Sequence, residues 1–422
     1  MLKKFAIVLL VATLSFSISY SVSAPVKDAV DKTYEQLNLL ISVMGLIQED
    51  YVESRDNKDL IIGAIHGMVK TLDPFSQFME PEVYKEMKTE TEGQFGGLGI
   101  RISVKNDWLT VITPLPGTPA YRIGILPDDR IVKIEGKITQ GESIDDAVKK
   151  LRGAPGTKVN ITIAREGAKD TIDYAITREI IKIETIHSKM LPSNIGYIQL
   201  TEFNANSEKD MSKALDSLQK DGMKALVLDL RNNPGGLLDV AVDVCREFVG
   251  DGKLIVYTQG RAPESRRDYM TQGKAPYGRL PMAVLVNRGS ASGSEIVAGA
   301  MQDLKRALII GTTTFGKGSV QSVFPFPDGN ALRLTTAKYY TPSGRSIHRD
   351  EKTGKGGISP DIIVEVPRET EAKLYMQSEE IFVPGKETES TVKKQDRVED
   401  TVLQRAVEIL KIRDVFMSIK EQ

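Results

Sequence analysis

Met282-Ala-Val-Leu-Val286 is an uninterrupted apolar run that leads through a turn of small residues into a helical pattern ending near Gln302. Two further apolar runs, residues 225–230 and 307–310, are also flanked by helical patterns. Continuous apolar runs of this length are typical of strands that are buried on both faces of a parallel sheet. Strands that alternate with helices indicate βαβ units. Residues 179–368 therefore predict an α/β core with a largely parallel sheet.

Residues 93–178 follow a different pattern, because short apolar–polar alternations replace the continuous runs. Alternation over residues 100–104, 109–113 and 159–163 predicts half-buried strands. One helix interrupts them, with Ser143 as its N-cap and Gly153 as its stop signal. This segment is predicted to be a small β-rich domain inserted before the α/β core.

The two ends of the chain carry helical patterns. Residues 25–92 are predicted to be mainly helical, and residues 369–422 to be a charged linker followed by a helix that Asp400 caps. Apolar stripes at both ends favour a homodimer. The fold class predicted for the whole chain is α/β multidomain, with helical N- and C-terminal segments.

The first 24 residues have the composition of a secretory signal peptide. Lys3 and Lys4 precede an apolar run over residues 5–16, and small residues end the segment at Val22-Ser-Ala24. We predict cleavage after Ala24; the alternative is an uncleaved anchor that associates the protein with the membrane, since the apolar stretch is nearly long enough to span it. Either alternative predicts an exported protein of the periplasm or cell envelope.

Composition excludes several classes of function. The 422-residue chain has a formal net charge of −1, without the basic excess of a nucleic-acid-binding protein. Its single cysteine cannot form an intramolecular disulfide or a thiolate metal cluster, and its three histidines lie far apart in sequence. We therefore expect no metal site and no nucleic-acid partner.

The first candidate for chemistry is Ser290-Ala-Ser-Gly-Ser-Glu295, which lies between a buried strand and a helix. In α/β folds, the loops after the carboxyl ends of the strands form the usual ligand crevice. A serine in this turn of small residues would expose its hydroxyl there. The alternative is purely structural, since Ser292 and Glu295 also form the S-x-x-E pattern of a helix capping box.

The second candidate is Gly316-Lys-Gly318. A lysine acts as a general base only if burial lowers its pKa from about 10.4. One alternative is a surface lysine in a mobile loop. Another is a P-loop, because residues 311–317 match most of its pattern, but Gly318 replaces the required Ser or Thr and a predicted strand follows instead of a helix.

The third candidate is Asp229-Leu-Arg-Asn-Asn-Pro-Gly-Gly236, at the end of a buried strand. Two glycines that open a helix can direct backbone N–H groups at an anion, which an acyl-transfer enzyme requires for its oxyanion. The alternative is a tight turn with no further role.

Together these three segments resemble the C-terminal processing, or tail-specific, serine peptidases of bacterial envelopes and chloroplasts. The spacing of Ser292, Lys317 and Gln321 is similar to that of the family. The resemblance implies a ClpP/crotonase-like catalytic core and an endopeptidase with a Ser–Lys dyad, and it implies no metal or organic cofactor. In this family Ser292 would be the nucleophile, Lys317 the base, and Gln321 the residue that orients the lysine. The oxyanion hole would consist of the N–H groups of Gly293 and of Gly235 or Gly236.

Residues 93–178 resemble a PDZ domain of the permuted bacterial type. The resemblance implies that Gly97-Leu-Gly-Ile100 binds the terminal carboxylate of a protein or peptide substrate with an apolar C-terminus. The alternative is a glycine-rich hinge between domains. A non-catalytic PDZ adaptor that binds the C-termini of envelope proteins is the second hypothesis for the whole chain. The sequence leaves open the physiological substrate, the resting state and the existence of an activating adaptor protein.

Overall fold

The computed structural model describes residues 24–115, 117–350, 352–367, 369–371, 373–374, 377 and 398–420. Except for Ala24, the predicted signal peptide lies outside the described residues, as does most of the predicted charged linker. The chain forms two units, residues 1–78 and 79–422.

The first unit is mainly helical over its described residues, as the sequence predicts. It contains α1 (Ala24–Asp50) and α2 (Asn57–Lys70), and Asp56 caps α2 by accepting a hydrogen bond from the Lys58 N–H at 2.8 Å. Strand β1 (Gln77–Met79) lies at the boundary between the units. Within the described ranges, no helix is both long and apolar enough to cross a membrane.

The second unit contains the remaining helices and strands. Its helices are α3 (Pro81–Glu92), α4 (Pro119–Arg122), α5 (Ile144–Leu151), α6 (Ser207–Lys220), α7 (Leu238–Arg246), α8 (Gly293–Asp303) and α9 (Thr401–Lys420). Its strands are β2 (Gln94–Gly97), β3 (Ile100–Lys105), β4 (Trp108–Pro114), β5 (Arg130–Ile134), β6 (Lys137–Ile138), β7 (Lys158–Ala164), β8 (Ile172–Thr177), β9 (Glu179–Lys182), β10 (Ile186–Leu191), β11 (Ile195–Leu200), β12 (Ala225–Asp229), β13 (Leu254–Gly260), β14 (Arg267–Met270), β15 (Met282–Val286), β16 (Leu308–Gly311), β17 (Ser319–Pro325), β18 (Ala331–Tyr340) and β19 (Ile362–Ile363).

The β-rich segment folds as an antiparallel sheet in the order β3-β4-β5-β7-β8, with β6 paired to β5. Its alternating apolar residues face one way and pack against α5, in a core that includes Leu109, Ile131, Ile161 and Ala147. Strands β2 and β9, which lie before and after this sheet in the sequence, pair with each other. The entry and exit of the segment are therefore neighbours, as an insertion requires.

The α/β core contains a sheet in the order β10-β11-β12-β15-β16-β19. Within this sheet, strands β11, β12, β15, β16 and β19 are parallel, and only the edge strand β10 is antiparallel. This arrangement confirms the prediction from the apolar runs. One face of the sheet packs on α6, α7 and α8. The other face packs on α9 through Val402, Ala406 and Leu410. Every residue of β12 and β15 is buried because both faces are covered.

An antiparallel sheet that the sequence analysis largely missed lies beside this core. It contains β17, β18, β13 and β14 in that order. Only β17 was predicted. The sheet is essential to the candidate site, because β17 and β18 follow the predicted lysine segment in the chain.

An ion-pair cluster attaches α9 to the predicted oxyanion segment. The Arg231 guanidinium donates to Asp229 Oδ2 at 2.6 Å and to both Asp400 carboxylate oxygens at 2.9 and 2.7 Å. Tyr197 Oη donates to Asp229 at 2.9 Å. Asp400 also accepts from the Leu403 N–H at 3.0 Å, as the predicted cap of the helix. These groups line a cavity of about 140 Å³ on the α9 face of the sheet.

We expect Asp400→Ala to lower the free energy of unfolding by about 3 kcal/mol, because it leaves the Arg231 guanidinium with part of its charge uncompensated in a buried site. The side chains of Arg231 and Asp400 are only 14% and 22% exposed. Urea unfolding followed by circular dichroism measures the change. The matched control is Glu399→Ala at the exposed preceding residue, with an expected change below about 0.5 kcal/mol.

The stability difference between the wild type and Asp400→Ala should depend on pH. Burial alone would raise the pKa of Asp400, but the charge and hydrogen bonds of Arg231 and backbone N–H groups outweigh it and lower this pKa. The ion pair therefore stabilises the fold fully above the ordinary aspartate pKa of about 4, and this contribution is lost as the pH falls through the lowered value. A stability difference between the wild type and Asp400→Ala that persists undiminished at pH 2 would contradict this account.

Candidate active site

Three serines follow β15, and the structure distinguishes them. Ser290 and Ser294 are fully buried, and their hydroxyls donate to the carbonyl oxygens of Leu230 at 2.7 Å and Asn233 at 2.9 Å. Ser292 is half-buried and directly precedes α8. Of the three hydroxyls, that of Ser292 is therefore the one placed to meet a substrate. We call residues 287–292 the serine turn.

The backbone of Ser292 is strained. Its φ of +53° and ψ of −112° lie outside the regions that L-residues favour. Such a conformation costs on the order of 1–3 kcal/mol and persists only where the surroundings fix it, which happens most often at functional sites. Here the Ala291 N–H donates to the Asn233 carbonyl at 3.0 Å, on one side of Ser292, and α8 begins on the other.

Glu295, in the first turn of α8, connects the serine turn to the predicted lysine segment. Its buried carboxylate accepts from the Ser292 N–H at 2.9 Å, as the capping-box pattern predicts. It also accepts from Thr314 Oγ1 at 2.5 Å, from the Gly316 N–H at 2.7 Å and from the Lys317 N–H at 2.9 Å. The main chains of Ser292 and Lys317 are therefore only two hydrogen bonds apart.

The lysine segment, residues 312–318, is held in place by further contacts; we call it the lysine loop. The Arg349 guanidinium donates to the carbonyl oxygens of Phe315 and Thr314, both at 2.8 Å. Gly318 lies so close to His348 that a Cβ on residue 318 would be 2.3 Å from the backbone nitrogen of His348. A strand, β17, follows the loop, as the argument against a P-loop requires.

The environment of Lys317 disfavours its charged form. The side chain is half-buried. Burial lowers the pKa of Lys317, and the positive charge of Arg333 lowers it further, whereas the Glu295 carboxylate opposes both effects. The direction of this pKa shift is the one that a lysine general base requires.

Gln321 lies on β17, opposite Thr335 of β18. Its Nε2 donates to Ser319 Oγ at 2.9 Å and approaches Thr335 Oγ1 at 3.4 Å. These bonds fix the amide on the strand that leaves the lysine loop.

The glycine pair of the predicted oxyanion segment is packed against the serine turn. Gly235 has a φ of +102°, and a Cβ at this position would be 2.5 Å from the Ser292 Cβ and 2.8 Å from the Gly293 nitrogen. The Gly235 N–H donates to Asn233 Oδ1 at 2.8 Å. By contrast, the N–H groups of Gly236 and Gly293 donate to no other residue among those described. This geometry favours Gly236 over Gly235 as the second oxyanion donor beside Gly293.

Sequence reasoning missed Tyr339 in the candidate site. Its Oη donates to Ser292 Oγ at 2.9 Å, from the buried end of β18. No sequence motif identifies Tyr339, and its strand, β18, was not predicted. The Arg231–Asp400 pair was also missed, since it joins residues 169 positions apart in the chain.

The candidate carboxylate loop lies between β2 and β3. Gly99 adopts a φ of +72°, and its carbonyl accepts from the Leu115 N–H at 2.8 Å. The N–H groups of Leu98 and Gly99 donate to no residue in the described part of the chain. The Leu98 side chain is buried in the core of the sheet, whereas Ile100 is half-buried at the start of β3. The loop therefore offers backbone donors beside a partly exposed apolar residue.

Three parts of the chain match known protein families. Residues 194–364 match the family model described as peptidase family S41, residues 110–165 match a PDZ domain, and residues 12–83 match the N-terminal domain of the activating protease CtpB. The photosystem II D1 C-terminal processing protease, a solved structure, is 33% identical, with 75% of this chain and 84% of that chain covered and a TM-score of 0.46.

Two curated relatives are similar over most of their length. The carboxy-terminal-processing protease of Bartonella bacilliformis is 43% identical over 351 residues, which cover 81% of this chain and 78% of the relative. The carboxy-terminal processing protease CtpA of Bacillus subtilis is 37% identical over 360 residues, covering 85% and 73%. The chain therefore belongs to the carboxy-terminal processing proteases, serine-type peptidases of family S41 that carry a PDZ domain.

Proposed function

We propose that this chain is an exported endopeptidase in which Ser292 and Lys317 form the catalytic dyad. The observation that carries the proposal is the Glu295 carboxylate, which binds the backbone N–H groups of both residues. The accessibility of Ser292 and the lowered pKa of Lys317 support the same assignment.

In this mechanism the neutral Lys317 amine takes the proton of the Ser292 hydroxyl as Oγ bonds to the peptide carbonyl carbon. The carbonyl oxygen becomes an oxyanion that accepts from the N–H groups of Gly293 and Gly236. The lysine ammonium then returns its proton to the leaving amine, which releases the C-terminal product and leaves an acyl-enzyme ester. Lys317 next takes a proton from a water molecule as its oxygen bonds to the ester carbonyl carbon. As the C–Oγ bond breaks, the lysine ammonium gives this proton to Oγ, which releases the N-terminal product and regenerates Ser292 and the neutral amine.

The PDZ domain supplies recognition in this proposal. The free N–H groups of Leu98 and Gly99 would bind the terminal carboxylate of the substrate, while β3 pairs with its last residues as an added strand. A half-buried Ile100 beside these donors favours an apolar last residue.

Export and assembly are proposed on the sequence and on exposed surface. The basic, then apolar, then small-residue pattern of the first 24 residues supports export to the periplasm or envelope, with cleavage after Ala24 or retention as an anchor. Leu37, Leu40 and Ile41 of α1 are 47%, 39% and 64% exposed, which supports a homodimer that buries them. Activation by a partner protein is compatible with the match of residues 12–83.

We expect Ser292→Ala and Lys317→Ala each to reduce cleavage of an unfolded protein with an apolar C-terminus at least about a thousandfold, because neither group alone supports attack. Mass spectrometry of the products measures the rate, and circular dichroism confirms the fold. Lys338→Ala, at an exposed lysine of β18, is the control and should cleave normally. Unchanged cleavage by both variants would exclude the dyad.

Activity should rise with pH and level off below the ordinary lysine pKa of about 10.4, because only the neutral amine is a base and its pKa is lowered. Arg333→Gln should move the inflection to higher pH, since it removes a positive charge that disfavours the ammonium form. The pH profile of kcat/KM measures both effects, with Lys338→Gln as the control. A profile that is flat from pH 6 to 9 argues against Lys317 as the base.

A peptide with an apolar C-terminal residue should bind at least about tenfold more weakly when its terminus is amidated, because the loop at residues 97–100 then loses its anion. Fluorescence anisotropy with full-length Ser292→Ala measures the affinity without cleavage. The matched control peptide replaces an upstream aspartate by asparagine, which removes the same charge elsewhere. Equal affinity for the acid and the amide would rule out carboxylate recognition.

A further inference from the structure

Tyr339 links the two halves of the candidate active site. Its backbone N–H donates to the Gly318 carbonyl at 3.0 Å, in the lysine loop. Its side-chain Oη donates to Ser292 Oγ at 2.9 Å. The residue is only 2% exposed, so its hydroxyl is shielded from bulk water. A buried donor in contact with the proposed nucleophile requires a chemical explanation.

The Tyr339 hydroxyl does not act as a base. Burial raises the pKa of Tyr339, and the nearby Glu295 carboxylate raises it further, although the hydrogen bond to Ser292 opposes them. The phenol therefore keeps its proton throughout the working pH range. What it offers to Ser292 is a hydrogen bond.

The hydrogen bond from Tyr339 excludes the Tyr339 oxygen as an acceptor for the Ser292 proton. A hydroxyl has one proton to donate and two lone pairs that accept. Because Tyr339 occupies one lone pair of Ser292 Oγ, the proton of Ser292 must point to a different acceptor. In the proposed dyad that acceptor is the neutral amine of Lys317.

We propose that Tyr339 is a further catalytic residue, whose hydroxyl orients the Ser292 hydroxyl towards Lys317 and stabilises the negative charge that develops on Oγ as its proton leaves. The inference rests on the proposed role of Ser292 as the nucleophile. Tyr339 transfers no proton and forms no covalent bond. The same hydrogen bond assists deacylation, when Oγ is the leaving group and again becomes electron-rich before Lys317 returns the proton.

The next residue in the chain provides a matched control. Successive side chains of a strand point to opposite faces. The Tyr340 ring stacks on Tyr257, with ring centroids 5.0 Å apart and planes inclined by 11°. Tyr340→Phe therefore removes an equivalent hydroxyl from the same strand without changing the environment of Ser292.

The experiment compares the full-length wild type with Tyr339→Phe and Tyr340→Phe. We expect Tyr339→Phe to lower kcat about 10- to 100-fold, the range for losing a hydrogen bond to a charged group, while KM changes less than about twofold. Labelling by a fluorophosphonate probe should slow by a similar factor, because it reports the reactivity of Oγ without tail recognition. The pH at which activity inflects should stay unchanged, since Lys317 remains the base. Tyr340→Phe should behave as the wild type.

A conservative replacement separates catalysis from folding. 3-Fluorotyrosine at position 339 keeps the ring and the donor, and it should restore both rates to within about threefold of the wild type. If Tyr339→Phe does not fold, the fluorotyrosine protein still tests the proposal, because rates reduced more than about threefold in a folded protein contradict it.

Other outcomes are also decisive. Rates for Tyr339→Phe within twofold of Tyr340→Phe would overturn the role of Tyr339 while leaving the dyad intact. A pH inflection that moves in Tyr339→Phe would also overturn it, because the phenol would then take part in proton transfer. Ser292→Ala separates the two proposals: labelling that persists in this variant refutes the nucleophile itself.

Discussion

The Glu295 carboxylate accepts hydrogen bonds from both the serine turn and the lysine loop, and the geometry of the candidate active site depends on this arrangement. Four donors surround its two oxygens, three of them backbone N–H groups. Burying a carboxylate is costly unless its lone pairs are satisfied, and here the main chain satisfies them. The same bonds fix where Ser292 and Lys317 lie, because a backbone N–H cannot move away from its acceptor without leaving a buried charge unsatisfied. A residue in the first turn of a helix therefore also connects the serine turn to the lysine loop.

The buried Glu295 carboxylate also affects the charge state of Lys317. A buried carboxylate near an amine favours the ammonium form, which cannot act as a base. Burial of the lysine and the charge of Arg333 act in the opposite direction, and together they outweigh Glu295, so the pKa of Lys317 is lowered. Burial also raises the pKa of Glu295, although the hydrogen bonds from Thr314 and from three backbone N–H groups oppose this shift, so the charged form of the carboxylate is disfavoured as well. We infer that Glu295 can hold the lysine loop in place without fixing the lysine in its charged state.

The sequence predicts those parts of the fold whose signal is local. Continuous apolar runs identified strands such as β15, period-two alternation identified β3 and β7, and Asp400 was correctly expected to cap the last helix. Strand β18 was missed although it forms a local hairpin with β17, because Ala331–Tyr340 shows neither a continuous apolar run nor a sustained alternation, and Tyr339 was missed with it. The S-x-x-E pattern predicted one role of Glu295, whereas its bonds to the lysine loop exist only in the folded chain. Likewise, spacing could not choose between Gly235 and Gly236, since the choice depends on the side chain of Asn233.

The strained backbone conformation of Ser292 depends on contacts that hold the residues around it in place. A positive φ at a residue with a side chain persists only if its surroundings fix it more strongly than the strain opposes it. The serine turn meets this condition through the bonds of Ser290 and Ala291 to the segment that follows β12, together with that of Ser294 in α8. The absence of a side chain at Gly235 leaves the space that this packing requires. That segment is in turn held from the other face of the sheet, where Arg231 pairs with Asp400 at the start of α9. The position of Ser292 is thus determined by contacts on both faces of the sheet, and a helix far along the chain contributes to it.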